Sequence, residues 1–328
     1  MTSSLFRRRG ATALVVAASL ALTACANSND STGDSNASGD NCGTVNMAIN
    51  PWVGYEANAA VVGYLLNDQL GCEVVDKNLK EQVSWEGFSN GTVDVIIENW
   101  GHDDLAKKYI DEQGDAVDYG PTGNEGIIGW YVPQWMADEH PDITDWKNLN
   151  KYADLFKTSE SGDQGQLLDG DPSYVTNDEN LVANLDLNYK VVYAGSEAAE
   201  IKALEVASEQ KTPLLFYFYT PQWALANFPV AHIDLPPYTK GCDVPAADVA
   251  CDYPPYTLNK IVSTTFDESG GDAATVIKNF SWTNDDQNAV AEMITNQGMT
   301  DDEAAKEWVD ANPDIWQPWF DGTSVTFN

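Results

Sequence analysis

The hydrophobic and polar positions in the first third of the chain alternate between short apolar runs and longer segments with helical spacing. Apolar runs predict strands at residues 44–50, 72–79 and 92–99. Apolar residues three or four positions apart predict helices at residues 55–71 and 103–114. Strands and helices that alternate in this order predict right-handed βαβ units around a parallel sheet.

The same alternation continues along the rest of the chain. We predict further strands at residues 126–133, 188–195, 212–220 and 256–266. Helices are predicted at residues 144–157, with Thr144 as the N-cap, and at residues 196–210, and residues 272–319 have mainly helical spacing. No internal repeat is visible. Two blocks of α/β units followed by a returning strand and helices indicate an α/β fold of two lobes joined by a hinge.

The lobes are expected to divide the sequence into three parts. Residues 44–130 form the first part of lobe 1, residues 131–222 form lobe 2, and residues 223–328 return to lobe 1. The chain is expected to cross between the lobes near residues 131–133 and 223–230. Ligands of open α/β sheets bind at the carboxyl ends of the strands, so a cleft between the lobes is the expected binding site.

Aromatic residues follow the carboxyl ends of three predicted strands. Trp52 and Tyr55 come after the first strand, Trp100 ends the third, and Tyr219 ends the strand at residues 212–220. Each lies beside a glycine or a proline, which indicates a surface loop. For any one of these rings alone, packing in the core is the alternative interpretation. Together they predict an aromatic cluster in the cleft between the lobes.

A cluster of aromatic ring faces is suited to one kind of ligand. Electron-rich ring faces attract cations that cannot donate hydrogen bonds, above all quaternary ammonium groups. If the ligand also carries a carboxylate, the backbone N–H groups of Val53, Gly54 and Tyr55 at the start of a helix are the expected donors, and His102 is a candidate to assist. The sequence therefore predicts a site for a small quaternary ammonium solute.

Composition and the first residues of the chain narrow the cellular setting. The net charge of −34 excludes a nucleic-acid partner, which needs a basic surface. Residues 1–24 have a basic head and an apolar stretch too short to span a membrane, as in a signal peptide. "LTAC" looks like a bacterial lipobox that places a lipid on Cys25; an ordinary secretory signal is the alternative. Residues 25–43 are rich in Ser, Asn, Asp and Gly and are expected to form a flexible tether.

Four cysteines remain after Cys25, and an even number in an exported protein predicts two disulfides, for which three pairings exist. Cys42 and Cys72 precede neighbouring predicted strands, so a bridge between them is geometrically sensible. That pairing leaves Cys242 with Cys251. A metal site is the weaker alternative, because the spacing fits no zinc pattern and no histidine is near.

Other classes of function receive less support from the sequence. The acidic segment at residues 169–180 lacks the glycine and the glutamate of a calcium-binding EF-hand loop, although adventitious calcium stays open. We find no nucleophile motif and no phosphate-binding glycine loop, so neither an enzyme nor a bound cofactor is expected. A sugar-binding protein that stacks its ligand on these rings remains an alternative.

The lipobox, the tether, the two-lobed pattern and the segments "ENW", "DPSY" and "YTPQW" resemble the glycine-betaine and proline-betaine binding proteins of ABC uptake systems. The resemblance covers roughly residues 44–320 and implies a type II-like periplasmic-binding-protein fold. It implies a lipid-anchored monomer on the extracytoplasmic face of the cell membrane that delivers an osmoprotective solute to a permease.

The same resemblance implies roles for individual residues. It assigns the aromatic cage to Trp52, Trp100, Tyr174 and Tyr219. A histidine that binds the carboxylate in the family lies four positions after the Trp100 equivalent; Asp104 stands there, and His102 lies two positions earlier. By similarity to choline binders, Glu56 and Glu98 are candidates to face the cation. Glycine betaine is the expected ligand, and a choline or carnitine receptor of the same fold is the alternative.

Overall fold

The computed structural model describes residues 42–174 and 176–327. The predicted signal peptide, the lipidation at Cys25 and nearly all of the predicted tether lie outside these described residues. The described strands are β1 to β9 in chain order: Thr44–Ile49, Glu73–Asn78, Val95–Asn99, Ala116–Pro133, Gly165–Asp169, Tyr189–Tyr193, Phe216–Thr220, Val230–His232 and Tyr256–Ser263.

Thirteen α-helices lie between and after these strands in the described part of the chain. In order, α1 to α13 are Val53–Leu70, Glu81–Asn90, Asp103–Ala106, Gln134–Glu139, Leu149–Tyr152, Asp178–Asn184, Glu197–Gln210, Ala224–Asn227, Thr264–Ser269, Gly271–Asn279, Asn284–Thr295, Asp301–Ala311 and Pro313–Trp316. A π-helical segment, Lys107–Glu112, continues α3. No helix among the described residues has the length and apolar character needed to cross a membrane.

The strands form one mixed sheet in the order β2-β1-β3-β9-β4-β7-β5-β6, with β8 paired to β4. Strands β1, β2 and β3 pair in parallel, as do β5, β6 and β7. The parallel pairing predicted for the βαβ units is thus present in both groups, but the whole sheet is mixed, because β9 pairs antiparallel with β3 and β4, and β4 pairs antiparallel with β7. Two parallel groups of strands are thus joined through a central antiparallel pair.

Strand β4 connects the two groups. Its residues from Ala116 to Gly126 pair with β9, and those from Ile127 to Tyr131 pair with β7. The change of partner therefore falls at Gly126 and Ile127. Strand β8 pairs with the end of β4, from Tyr131 to Pro133, so it belongs to the second group.

Two predicted elements differ in detail from those observed. The predicted strand at residues 126–133 is the second half of the 18-residue β4. The predicted helix at residues 144–157 is broken into 3-10 and α turns, and its N-cap is Asp145 rather than Thr144, because the Asp145 carboxylate accepts the Lys147 N–H. Strands β5 and β8 were not predicted.

Both disulfides predicted by the favoured pairing are present. Cys42 is bonded to Cys72 and Cys242 to Cys251. The first ties the start of β1 to the start of β2, as expected for neighbouring parallel strands.

Candidate functional site

A cavity of about 140 Å³ opens between the two groups of strands. Its volume is of the same order as the engineered cavities of roughly 150 Å³ that hold a benzene ring. All four predicted cage residues and His102 line it. Among the described residues, the lining is formed by Trp52, Glu81, Trp100, Gly101, His102, Ile128, Tyr174, Asn177, Tyr217, Tyr219, Tyr253 and Tyr256.

The backbone brings the four predicted rings to the cavity from separate elements. Trp52 is the N-cap of α1, directly after β1, and Trp100 follows β3. Tyr219 lies near the end of β7, and Tyr174 lies in the loop between β5 and α6. Because strands of each parallel group end at the same edge of the sheet, side chains far apart in sequence meet here.

The rings contact one another edge to face. Trp52 and Tyr174 have centroids 5.8 Å apart at 85°, and Trp100 and Tyr219 have centroids 5.6 Å apart at 76°. Such pairs fix ring orientation, since they are favoured over face-to-face stacking. The Tyr217 ring lies between the two pairs, with centroids 6.5 Å from Tyr174 and 6.2 Å from Tyr219, and so joins them into one wall. Binding of a ligand by these rings stays a prediction.

Glu98 holds the two tryptophans from behind. Its Oε1 accepts hydrogen bonds from the indole Nε1–H of both Trp52 and Trp100, each at 2.7 Å. Its Oε2 accepts from the side-chain amide of Asn58 and, at 3.0 Å, from that of Gln287. Glu98 does not line the cavity, so it orients the rings rather than facing the cation as the resemblance implied.

Burial raises the pKa of Glu98 to about 7, and the charge of Glu197 adds to the increase, whereas the hydrogen bonds from Trp52, Trp100 and Gln287 oppose it. When Glu98 is protonated, its O–H group can also find an acceptor, because the Asn58 and Gln287 side-chain carbonyl oxygens are buried without a partner in the described chain. Rotation of either amide would let its carbonyl oxygen accept a hydrogen bond from the protonated Glu98 carboxyl group.

Glu197, the first residue of α7, is the second buried carboxylate beside the rings. Its Oε2 accepts the Val53 N–H at 2.8 Å. Its Oε1 accepts from the Tyr219 hydroxyl and, at 2.6 Å, from the Gln222 side-chain amide. The backbone N–H of Val53, expected to bind a ligand carboxylate, is thus already bonded to a protein carboxylate.

The other residues expected to bind a carboxylate at the start of α1 lie away from the cavity. The Tyr55 hydroxyl is buried in the core and accepts the Ile97 N–H at 3.1 Å. Gly54 packs so closely against Gln287 that a Cβ would lie 2.3 Å from its Nε2. Neither residue lines the cavity.

Glu56 lies in a different environment. It lines a separate cavity with Asp76 and Asp301. Burial raises the pKa of Glu56 to about 7, and the charge of Asp301 adds to the increase. The structure does not bring Glu56 to the aromatic cavity.

His102 lines the cavity, with a carboxylate beside it. Its Nε2 lies 2.8 Å from Glu81 Oε1, and the two side chains are 13% and 9% exposed. Burial lowers the pKa of His102, but the hydrogen bond and charge of Glu81 outweigh burial and leave the pKa raised.

Two further acids, Asp178 in α6 and Glu200 in α7, are buried among the elements of the second group of strands. Asp178 Oδ1 accepts from Trp130 Nε1 at 2.7 Å and from the Tyr253 hydroxyl at 2.8 Å. Both carboxyl oxygens of Glu200 are buried and unpaired within the described chain. Burial raises the pKa of Asp178 and of Glu200 well above the usual range. Among the described residues, no group of three or more His, Cys, Asp or Glu has an arrangement that could hold a metal ion.

Sequence reasoning missed several lining residues. Tyr217 and Tyr219 alternate with Phe216 and Phe218, and this two-residue period would have placed both tyrosines on one face of β7. Tyr253 and Tyr256 flank a pair of prolines before β9 and carry no such signal. Glu197 was missed because it bonds to the Val53 N–H, 144 positions away in the sequence, and local sequence patterns do not reveal such a contact.

Comparison with known proteins identifies the family. Residues 43–311 match the family OpuAC, described as the substrate binding domain of an ABC-type glycine betaine transport system. The chain is 27% identical over 280 residues to the trimethylamine N-oxide-binding protein of Pelagibacter ubique, a match that covers 82% of this chain and 88% of the relative. It is 30% identical over 139 residues, 42% of either chain, to the glycine betaine/carnitine transport binding protein GbuC of Listeria monocytogenes.

Solved structures match the fold. A choline-binding protein of an ABC transporter in complex with choline matches at a TM-score of 0.69 and 20% identity, covering 86% of this chain and 93% of that one. Lactococcal OpuAC, closed on glycine betaine, matches at 0.67 and 21%, covering 86% and 100%. The two-lobed fold predicted from the sequence is confirmed. The chain belongs to the OpuAC family of ABC-transporter substrate-binding proteins, which capture solutes outside the cytoplasm for a membrane permease and are not enzymes.

Proposed function

We propose that this protein is the receptor of an ABC importer for a small quaternary ammonium solute, glycine betaine or a close relative, held in an aromatic cage. The observation that carries the proposal is the shared cavity. Trp52, Trp100, Tyr174 and Tyr219 reach it from four separate elements and line it together.

The physical basis is the attraction between ring faces and a methylated cation. Each ring face contributes roughly 0.5–2 kcal/mol when water is excluded. Two buried carboxyl groups, Glu98 and Glu197, are hydrogen-bonded to cage residues and add negative potential near the rings when they are ionised. A permanent cation with little hydration is therefore the ligand class that this lining favours.

We further propose that the protein acts as a lipid-anchored monomer at the cell surface. Cleavage after residue 24 would leave Cys25 as the lipidated N-terminus, and residues 25–43 would tether the folded body to the membrane. The lobes would close on the solute, and the permease would recognise the closed form. The sequence predicts crossings between the lobes near residues 131–133 and 223–230. For the first of them we propose a position nearer Gly126, where β4 changes its pairing partner.

The relatives suggest which solutes to test. Proteins similar to this chain are named for trimethylamine N-oxide, for glycine betaine and carnitine, and for choline. A choline or carnitine receptor is thus the second candidate. A sugar receptor is less well supported, because sugar sites need several planar polar side chains free to bind, and among the described lining residues Glu81 and His102 are bonded to each other, which leaves Asn177.

The decisive experiment is calorimetric titration of the purified chain from residue 26 onward with these four solutes and with a neutral sugar. Binding of at least one trimethylammonium solute, without binding of its amine relative that lacks the methyl groups, is the expected result. Heat from the sugar alone would overturn the proposal.

A further inference from the structure

We propose that Glu197 makes the cavity select methylated ammonium solutes that lack a free carboxylate, because it already fills the position at the start of α1 that a ligand carboxylate would need. This inference rests on the proposed function and narrows its ligand class: within that class it favours the second candidate, choline, and trimethylamine N-oxide over glycine betaine.

The geometry at the start of α1 is that of an occupied anion site. A helix N-terminus offers free N–H groups to anions, and Val53 is the first residue of α1. Its N–H donates to Glu197 Oε2 at 2.8 Å, and Glu197 is only 6% exposed. Gln222 and Tyr219 donate to the other carboxylate oxygen. A ligand carboxylate would have to displace a buried carboxylate that has three donors.

The rest of the cavity offers a ligand carboxylate no compensating cation. No lysine or arginine is among the residues that line it in the described structure. His102, its one basic side chain, is already paired with Glu81. Two like charges in a site of low dielectric constant repel strongly, so a second carboxylate beside Glu197 and Glu98 is disfavoured.

The oxygen of an alcohol, which is uncharged, or of an amine oxide, whose negative charge lies next to the ammonium nitrogen, finds better partners than a carboxylate does. The Tyr217 hydroxyl and the Asn177 side-chain amide both belong to the cavity lining. Neither donates to another group in the described part of the chain, which leaves both available to the oxygen of an alcohol or an amine oxide. Solutes such as choline and trimethylamine N-oxide thus match the lining at both ends.

The test compares three solutes that share the trimethylammonium head. Glycine betaine and choline differ mainly in a carboxylate against a hydroxyl, and trimethylamine N-oxide carries a single oxygen. We expect the wild-type chain to bind choline or trimethylamine N-oxide at least about tenfold more tightly than glycine betaine, about 1.4 kcal/mol.

A pair of variants on α7 isolates the charge of Glu197. Glu197→Gln keeps an acceptor for the Val53 N–H but removes the charge. It should reduce the ratio of the affinity for choline or trimethylamine N-oxide to the affinity for glycine betaine by at least about threefold. Glu209→Gln removes an exposed charge from the same helix and should leave the preference unchanged. Thermal unfolding of each variant reports whether it folds. If Glu197→Gln does not fold, the ratio of the wild-type affinities for choline and glycine betaine still tests the inference.

The outcomes separate this inference from the proposed function. Glycine betaine bound as tightly as the other two by the wild-type chain would overturn the role of Glu197 while supporting the aromatic cage. An unchanged preference in folded Glu197→Gln would also overturn it. Failure of all three solutes to bind would overturn the proposed function itself.

Discussion

Replacement of Glu98 by glutamine should flatten the pH dependence of stability. Burial raises the pKa of Glu98 from 4.5 to about 7, so the folded chain binds this proton more tightly than the unfolded chain does. The stability that this proton contributes is full below pH 4.5, the unfolded value, and is lost as the pH rises through about 7.

The magnitude follows from the two pKa values. At ~1.4 kcal/mol per pKa unit, the rise from 4.5 to about 7 makes the folded state roughly 3 kcal/mol less stable at high pH than at low pH. Glu56 and Asp169, with pKa values of about 7 and about 6, act in the same direction. The wild-type chain should therefore be more stable at about pH 5 than at about pH 8.

The assay is urea unfolding of ligand-free wild type and Glu98→Gln at the two pH values and at fixed ionic strength. Most of the roughly 3 kcal/mol falls between about pH 5 and about pH 8, so the variant should lose most of that contribution from the wild-type difference. The comparison of slopes is needed because the substitution also changes stability by the same amount at every pH: a glutamine N–H₂ group replaces an acceptor with a donor, and the amide of Asn58 or Gln287 must rotate to accept from it. Equal pH slopes for the two proteins would refute the reasoning.

Three further predictions concern binding, proton release and the disulfides. Trp100→Ala should weaken binding of the preferred solute by about tenfold or more, because it removes a ring face and its contact with Tyr219. The control variant Tyr193→Ala removes an exposed ring and should leave the calorimetric affinity unchanged. Equal affinities for the two variants would exclude Trp100 from the site. Binding of a cationic solute should release protons near neutral pH, because a nearby cation favours the ionised form of Glu98. The heat of binding should therefore depend on the ionisation enthalpy of the buffer, and a heat that is the same in all buffers would contradict this prediction. Loss of the disulfide between Cys42 and Cys72, which are 30 positions apart, should cost about 3 kcal/mol of unfolding free energy, and an unchanged urea midpoint in the double serine variant would contradict this.

The sequence predicted the elements whose signals are local. Most strands and the long helix α1 follow directly from apolar spacing and from Gly71, which ends α1 with a positive φ of 68°. The disulfide between Cys42 and Cys72 followed from cysteines at the starts of neighbouring strands, and the one between Cys242 and Cys251 followed as the remaining pair.

The first half of β4 was missed for a physical reason. Gly120 and Gly123 have φ values of 82° and 90°, and Pro121 lies between them, a combination typical of a loop. Pairing with β9 overrides this signal, and the irregular residues are accommodated as shifts of register on either side of Pro121.

The candidate site could be predicted only in part. The rings after strand ends were visible because aromatic residues and loop residues are adjacent in sequence. The carboxylates that orient them were not, because the contacts of Glu98 with Gln287 and of Glu197 with Val53 join residues 189 and 144 positions apart. Which side of a ring a carboxylate occupies depends on the packing of the lobes.

The central claim is that ring faces bind a permanent positive charge. It is tested most directly by calorimetric comparison of the trimethylammonium solute that binds most tightly with its uncharged tert-butyl analogue of the same shape. We predict that the charged solute binds at least about tenfold more tightly, because only the cation is attracted by the rings of Trp52 and Trp100. Equal affinity for the two compounds would contradict the account.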